Sequence, residues 1–157
     1  MIHFSLRSLV FTSAAAVGFS LLLGCSRPHE GDGDQLATTV DSFATSYFNW
    51  HFEDALKNVD AGSHEWLVYA ASNVHQADID SLRAMSEGAA HELGDIDYTS
   101  DTTAVAFVTV RNFLAMDTIG ASAHLVGEAK FALPLRYVGG KWLVSLRALP
   151  KAMKQHY

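Results

Sequence analysis

The chain has 157 residues, 49% of them hydrophobic, with 11 basic side chains against 17 acidic ones and a formal net charge of −6. That length bounds the folded part to one domain, and an acidic balance without a basic cluster excludes electrostatic docking on nucleic acid or on an anionic membrane surface. A single cysteine, Cys25, excludes an internal disulfide.

Arg7 is the only charged side chain ahead of an apolar run from Leu9 to Leu23, which ends in Leu22-Leu23-Gly24-Cys25. The run is short for a membrane span and has the length of a signal-peptide core. The segment resembles a bacterial lipoprotein signal with its lipobox, in which a small residue directly precedes a cysteine at the end of a hydrophobic stretch. The resemblance implies that residues 1–24 are a signal peptide, that cleavage falls before Cys25, and that the Cys25 thiol carries a diacylglycerol. An ordinary secretory signal with a chance cysteine and a transmembrane anchor are the alternatives. Two or three acyl chains hold a protein on a membrane stably where one does not. By the same resemblance, Ser26 in place of an aspartate after the cysteine points to the outer membrane of the cell envelope, with the domain facing the periplasm. Loss of Arg7 with the signal leaves 133 residues and a net charge of −7.

Residues 25–34 form a tether, since Pro28, Gly31 and Gly33 discourage regular structure. Asp32 and Asp34 alternate as in a calcium loop, but the further acidic ligands of such a loop are missing. Asp34 is placed to cap a helix in which Leu36, Val40, Phe43, Tyr47 and Trp50 fall on one apolar stripe, ending near Asn49. A short second helix is expected over Glu53–Asn58. A third, capped by Asp60 or Ser63, holds Trp66, Leu67, Tyr69 and Ala70, and a fourth spans Gln76–Met85 with Ile79 and Leu82.

The strands come last. His91 to Tyr98 is the first, with imperfect alternation, and Thr102 to Phe113 the second, apolar on both faces. From Ala123 to Tyr137 the odd positions are apolar, among them Ala129, Phe131, Leu133 and Leu135, and the even ones include Glu128, Lys130 and Arg136. That period of two is a half-buried strand. Gly139-Gly140 supplies the positive φ angles of a tight hairpin into Lys141–Arg147. Pro134 cannot donate to a ladder and marks a bulge or an end of pairing on its side. Residues 35–149 thus form one domain of α+β class, N-terminal helices packed on a curved antiparallel sheet, followed by a tail over 150–157.

The opening helix running into Tyr47-Phe48-Asn49-Trp50-His51-Phe52-Glu53-Asp54-Ala55-Leu56, followed by long strands and the Gly139-Gly140-Lys141-Trp142 hairpin, resembles the nuclear-transport-factor-2-like superfamily. The resemblance spans Gln35 to Leu149 and rests on element order and aromatic spacing. It implies a sheet curved around the first helix into a cone with an apolar pocket, a fold shared by isomerases, dehydratases, binding proteins and dimerisation modules. A cystatin-like arrangement, one helix on four strands, leaves the helices from Glu53 to Met85 unexplained.

Ligand contacts in such a cone would fall to Tyr47, Trp50, Trp66, Tyr69, Phe107, Phe131 and Trp142, aromatics that a core of this size also needs. Acid–base chemistry would fall to His91 and Asp95, or to Asp41 and His51, set in an apolar pocket that moves their pKa values. His91-Glu92 begins a zinc-protease pattern, but Asp95 stands where the second histidine belongs. His64, His75 and His124 show no metal-ligand spacing, no serine stands in a nucleophile elbow, and no glycine-rich loop follows a strand. The expectation is a lipid-anchored envelope protein that binds a small apolar ligand or acts as a scaffold, without a cofactor, paired with a second copy or another envelope protein. The rival is an isomerase- or dehydratase-like enzyme on a small apolar substrate.

Overall fold

The computed structural model describes residues 32–116 and 121–154. Cys25, the signal segment and most of the tether lie outside the described residues. Helix α1 spans Asp32–Phe48, α2 Phe52–Ala55, α3 His64–Ser72 and α4 Gln76–Ala84. Strands β1 (Ala90–Ser100), β2 (Thr103–Ala115), β3 (His124–Val138) and β4 (Lys141–Val144) follow. They form one antiparallel sheet in the order β1-β2-β3-β4. Helices on an antiparallel sheet is the expected α+β class.

The stripe on α1 does what its spacing predicts: Leu36, Val40 and Phe43 are wholly buried. They face Ala104, Ala106, Val108 and Val110 of β2 and Phe131, Leu133 and Leu135 of β3 in one core. Alanines at two of the β2 positions let the helix come close to the sheet. At its start α1 differs from expectation. The helix already includes Asp32, so Asp34 is not its cap; both acids lie in the first turn, at the positive end of the helix dipole.

Edge strand β4 is fastened to α1 by a side chain that copies a strand. Gln35 Oε1 accepts the Trp142 N–H at 2.7 Å, and the Thr39 hydroxyl donates to the Trp142 carbonyl at 3.1 Å. Beyond Val144 the chain leaves the sheet, earlier than the expected Arg147. The reason is a buried polar knot. Asp60 accepts hydrogen bonds from the Ser63 and Ser145 hydroxyls, and Ser63 Oγ accepts the Leu146 N–H at 2.7 Å. Asp60 and Ser63 therefore tie the sheet end rather than cap α3, whose first turn has no side-chain cap. Burial raises the Asp60 carboxyl, but the Ser63 and Ser145 hydroxyls, the Ser63 N–H and the Arg136 charge together outweigh it and hold its pKa below the ordinary value.

Pro134 introduces no bulge: β2–β3 pairing is continuous past Val105↔Pro134. On its other side, pairing with β4 stops at Leu135↔Val144, where the proline has no N–H to offer. The Gly139-Gly140 turn has φ values of 59° and 84°, as the hairpin requires. The imperfect alternation of β1 is a register shift between Leu93 and Ile96, a bulge that bends the strand beside Gly94.

Candidate functional site

α1 ends by a Schellman turn. The His51 N–H donates to the Ser46 carbonyl at 2.8 Å and the Trp50 N–H to the Tyr47 carbonyl at 3.0 Å. The position after the cap is left-handed and normally glycine; here it is Trp50, at φ 63°. Trp50 is thus not the last residue of the helical stripe but the first beyond it. Its indole is turned to the sheet, where Nε1–H donates to the Leu114 carbonyl at 3.1 Å.

β2 has a matching irregularity. Its inward positions are even through Val110, yet Phe113 is buried too. The change of face happens at Asn112, left-handed at φ 53°, between the paired positions Arg111↔Glu128 and Phe113↔Val126. Asn112 Nδ2 donates to the Glu87 carbonyl at 2.9 Å, which holds it in place. Phe113 then meets Phe131 at 5.5 Å and Phe48 at 5.6 Å, while Phe48 and Phe131 lie 4.7 Å apart. The chain returns after β4 so that Ala152 bridges Phe131 and the Met153 N–H donates to the Lys130 carbonyl. Residues 149–152, part of them expected as a tail, close the site.

These elements enclose a cavity of about 270 Å³. Tyr47, Phe48, Trp50 and Phe52 form one wall, Phe113–Met116 a second, His124, Val126 and Phe131 a third, and Leu149, Pro150 and Ala152 a fourth. The side chains of the walls are mainly aromatic and aliphatic, with polar backbone atoms between them, and no carboxylate is among the lining residues. The polar exception within is Tyr47. Its ring is stacked on Phe43 at 5.3 Å and meets Phe48 and Phe52 edge-on. Its hydroxyl makes no hydrogen bond among the described residues. Burial pushes this phenol far above its ordinary pKa, so it stays a proton donor across the physiological range.

Three of the seven expected ligand contacts, Tyr47, Trp50 and Phe131, line this cavity. Trp142 does not; it is core, 1% exposed, under α1 between Tyr98 and Tyr137. Phe107 is on the outer face of β2, its β-carbon and carbonyl close to Gly94. Trp66 packs partly buried against the core, and Tyr69 is half-buried on α3, which contributes only Ala70 to the lining. The acid–base candidates sort differently. His91 Nε2 and Asp41 Oδ1 meet at 2.9 Å between β1 and α1, while Asp95 and His51 are exposed, and none of the four lines the cavity. No group of three metal-ligating side chains converges among the described residues. Sequence patterning missed Phe113–Met116, Val126 and Leu149–Ala152; the apolar Ala148-Leu149-Pro150 beyond the last strand was the available signal.

No protein-family model matches the sequence, and no curated protein matches it. Solved structures similar in fold include a nuclear-transport-factor-2-like protein of unknown function from Shewanella oneidensis, 10% identical, with TM-score 0.48 over 71% of this chain and 93% of that one. A ketosteroid isomerase-like protein from Erwinia carotovora is 12% identical, with TM-score 0.47 over 71% and 88%. A protein of unknown function with a cystatin-like fold from Nostoc punctiforme is 15% identical, with TM-score 0.45 over 72% and 85%. At this similarity neither activity nor ligand passes from those proteins to this chain.

Proposed function

We propose that this protein binds a small apolar molecule carrying one hydrogen-bonding group, held in the cavity at the C-terminal end of α1. The observation behind the reading is the Tyr47 hydroxyl, a polar group without a hydrogen-bond partner among the described residues, in a lining whose side chains are mainly aromatic and aliphatic. A ligand oxygen or nitrogen that meets this hydroxyl gains a directional bond in largely apolar surroundings. A volume of about 270 Å³ suits a compact molecule, just below the usual range for drug-sized ligands. Native mass spectrometry of the chain after incubation with a cell-envelope extract tests this. A retained small-molecule mass, absent from a Val126→Trp variant that fills the cavity, is the expected outcome; no retained mass from any extract counts against it.

The binding site serves the cell envelope in this reading, with the protein anchored through diacylglycerol on Cys25. Support is the Leu22-Leu23-Gly24-Cys25 motif at the end of the apolar run. Among the described residues no helix is long and apolar enough to cross a membrane. Metabolic labelling with a fatty-acid precursor should mark the protein and fail to mark Cys25→Ser.

The partner in this reading is a second copy on the outer face of the sheet. Val105 and Phe107 are only half-covered there, beside exposed Ala132 and Pro134, and Arg111 pairs with Glu128 at 2.7 Å on the border. Such a patch suits an isologous contact. Sedimentation as a monomer at high concentration would rule it out. The enzymatic alternative has a weaker basis, because His91 and Asp41 meet away from the cavity.

A further inference from the structure

Helix α4 and the residue that follows it carry an apolar stripe that they do not bury. Ile79 and Leu82 of the helix and Met85 just beyond it are half-exposed, whereas the residue α4 buries fully is Asp78. Opposite them stand Phe48 and Trp50 at the end of α1. The two apolar walls are held apart by a groove of about 320 Å³, which Asn49, His51, Arg83 and Glu87–Ala89 complete.

Polar bonds fix both sides of this gap independently of apolar packing. Asp78 Oδ2 accepts the His75 N–H and Oδ1 accepts the Ala123 N–H, each at 2.8 Å, which pins the start of α4. After the helix, Asn49 holds Ala89 through both backbone groups, and Asn112 holds the Glu87 carbonyl. The groove is pre-formed and largely apolar with a few polar groups on its rim, the character of small-molecule sites. Two charged side chains on its lining, Arg83 and Glu87, are exposed and make no ion pair or side-chain hydrogen bond among the described residues; of the two, the Arg83 guanidinium is the one that can receive an anion. The Glu87 carboxylate on the same lining opposes an anion.

We propose that this groove is a second ligand site, for a linear apolar chain ending in a carboxylate. The chain lies between Phe48 and Trp50 on one side and Ile79, Leu82 and Met85 on the other. The carboxylate meets Arg83, whose planar fork matches it with two parallel hydrogen bonds. The proposal is independent of the cavity beside Tyr47, although Phe48 and Trp50 have a face in each.

The test uses the purified full chain and three probes with the same alkyl chain: dodecanoate, dodecanol and dodecyltrimethylammonium. Dodecanoate is expected to bind, with affinity falling about tenfold in Arg83→Gln and rising in Glu87→Gln. Dodecanol should be insensitive to both substitutions and dodecyltrimethylammonium should bind weakest. A diazirine-bearing dodecanoate should crosslink to Ile79–Met85 or Glu87–Ala89. Absence of binding, equal binding of the cationic probe, an affinity unmoved by Arg83→Gln, or crosslinking confined to Phe113–Met116 would each overturn the proposal. Arg83 is on the surface, so its replacement leaves the fold intact.

Discussion

The Asn49 side chain occupies the space in which residue 88 would carry a β-carbon: at Gly88 that atom would lie 2.5 Å from Asn49 Oδ1. The same oxygen accepts the Ala89 N–H at 2.8 Å, while Nδ2 donates to the Ala89 and Thr45 carbonyls. Gly88→Ala must therefore break this clasp, and Asn49→Ala removes it. Each is expected to lower stability by about 1–3 kcal/mol in urea unfolding, and the double variant by clearly less than the sum, since both act on one set of bonds.

Trp50 stands where a helix ending of this kind prefers glycine. Removing the ring while keeping a β-carbon retains the left-handed strain. Trp50→Ala should consequently unfold at lower denaturant than Trp50→Gly, by roughly 1 kcal/mol, even though glycine loosens the unfolded chain more. Equal stabilities would show that the left-handed position is unstrained.

Asp78 gives the protein an acid-sensitive joint. Burial raises its carboxyl, but the His75 and Ala123 N–H groups and the nearby His75 ring hold its pKa below the ordinary carboxylate value. With the folded pKa below the unfolded one, its contribution is complete above about pH 4 and is lost as pH falls through the folded value. Asp78→Asn should destabilise the protein by about 1–3 kcal/mol at pH 7 and flatten the acid limb of its stability profile. An acid limb unchanged in the variant would place the sensitive group elsewhere.

Tyr47→Phe separates binding from folding. The hydroxyl has no partner among the described residues, so its loss should leave the melting temperature unchanged or raise it, by up to about 1 kcal/mol in stability. Ligand retention in the mass spectrometer should fall sharply. A large loss of stability instead would mean that the hydroxyl holds the fold.

The architecture was legible because periodicity reports which face of an element is buried. The stripe Leu36, Val40, Phe43 and the odd positions of β3 from Ala129 to Leu135 are both in the core as their spacing requires. The site was legible only in part, because periodicity is silent about which end of an element a residue occupies. Trp142 shares its inward face with Phe131, but it is beneath the N-terminal half of α1, where Gln35 and Thr39 hold its backbone. Phe107 is apolar on a strand whose neighbours at even positions took the inward face. Phe113 joined the cavity through the backbone of Asn112, a residue type that tolerates positive φ but does not announce it.

The cavity and the point where the chain enters the fold are at opposite ends of α1. Seventeen residues of helix put Asp32 and Phe48 about 25 Å apart. An anchor at Cys25, as proposed above, would thus enter the fold at the end of α1 away from the cavity, and a ligand bound there would sit a helix length from that entry.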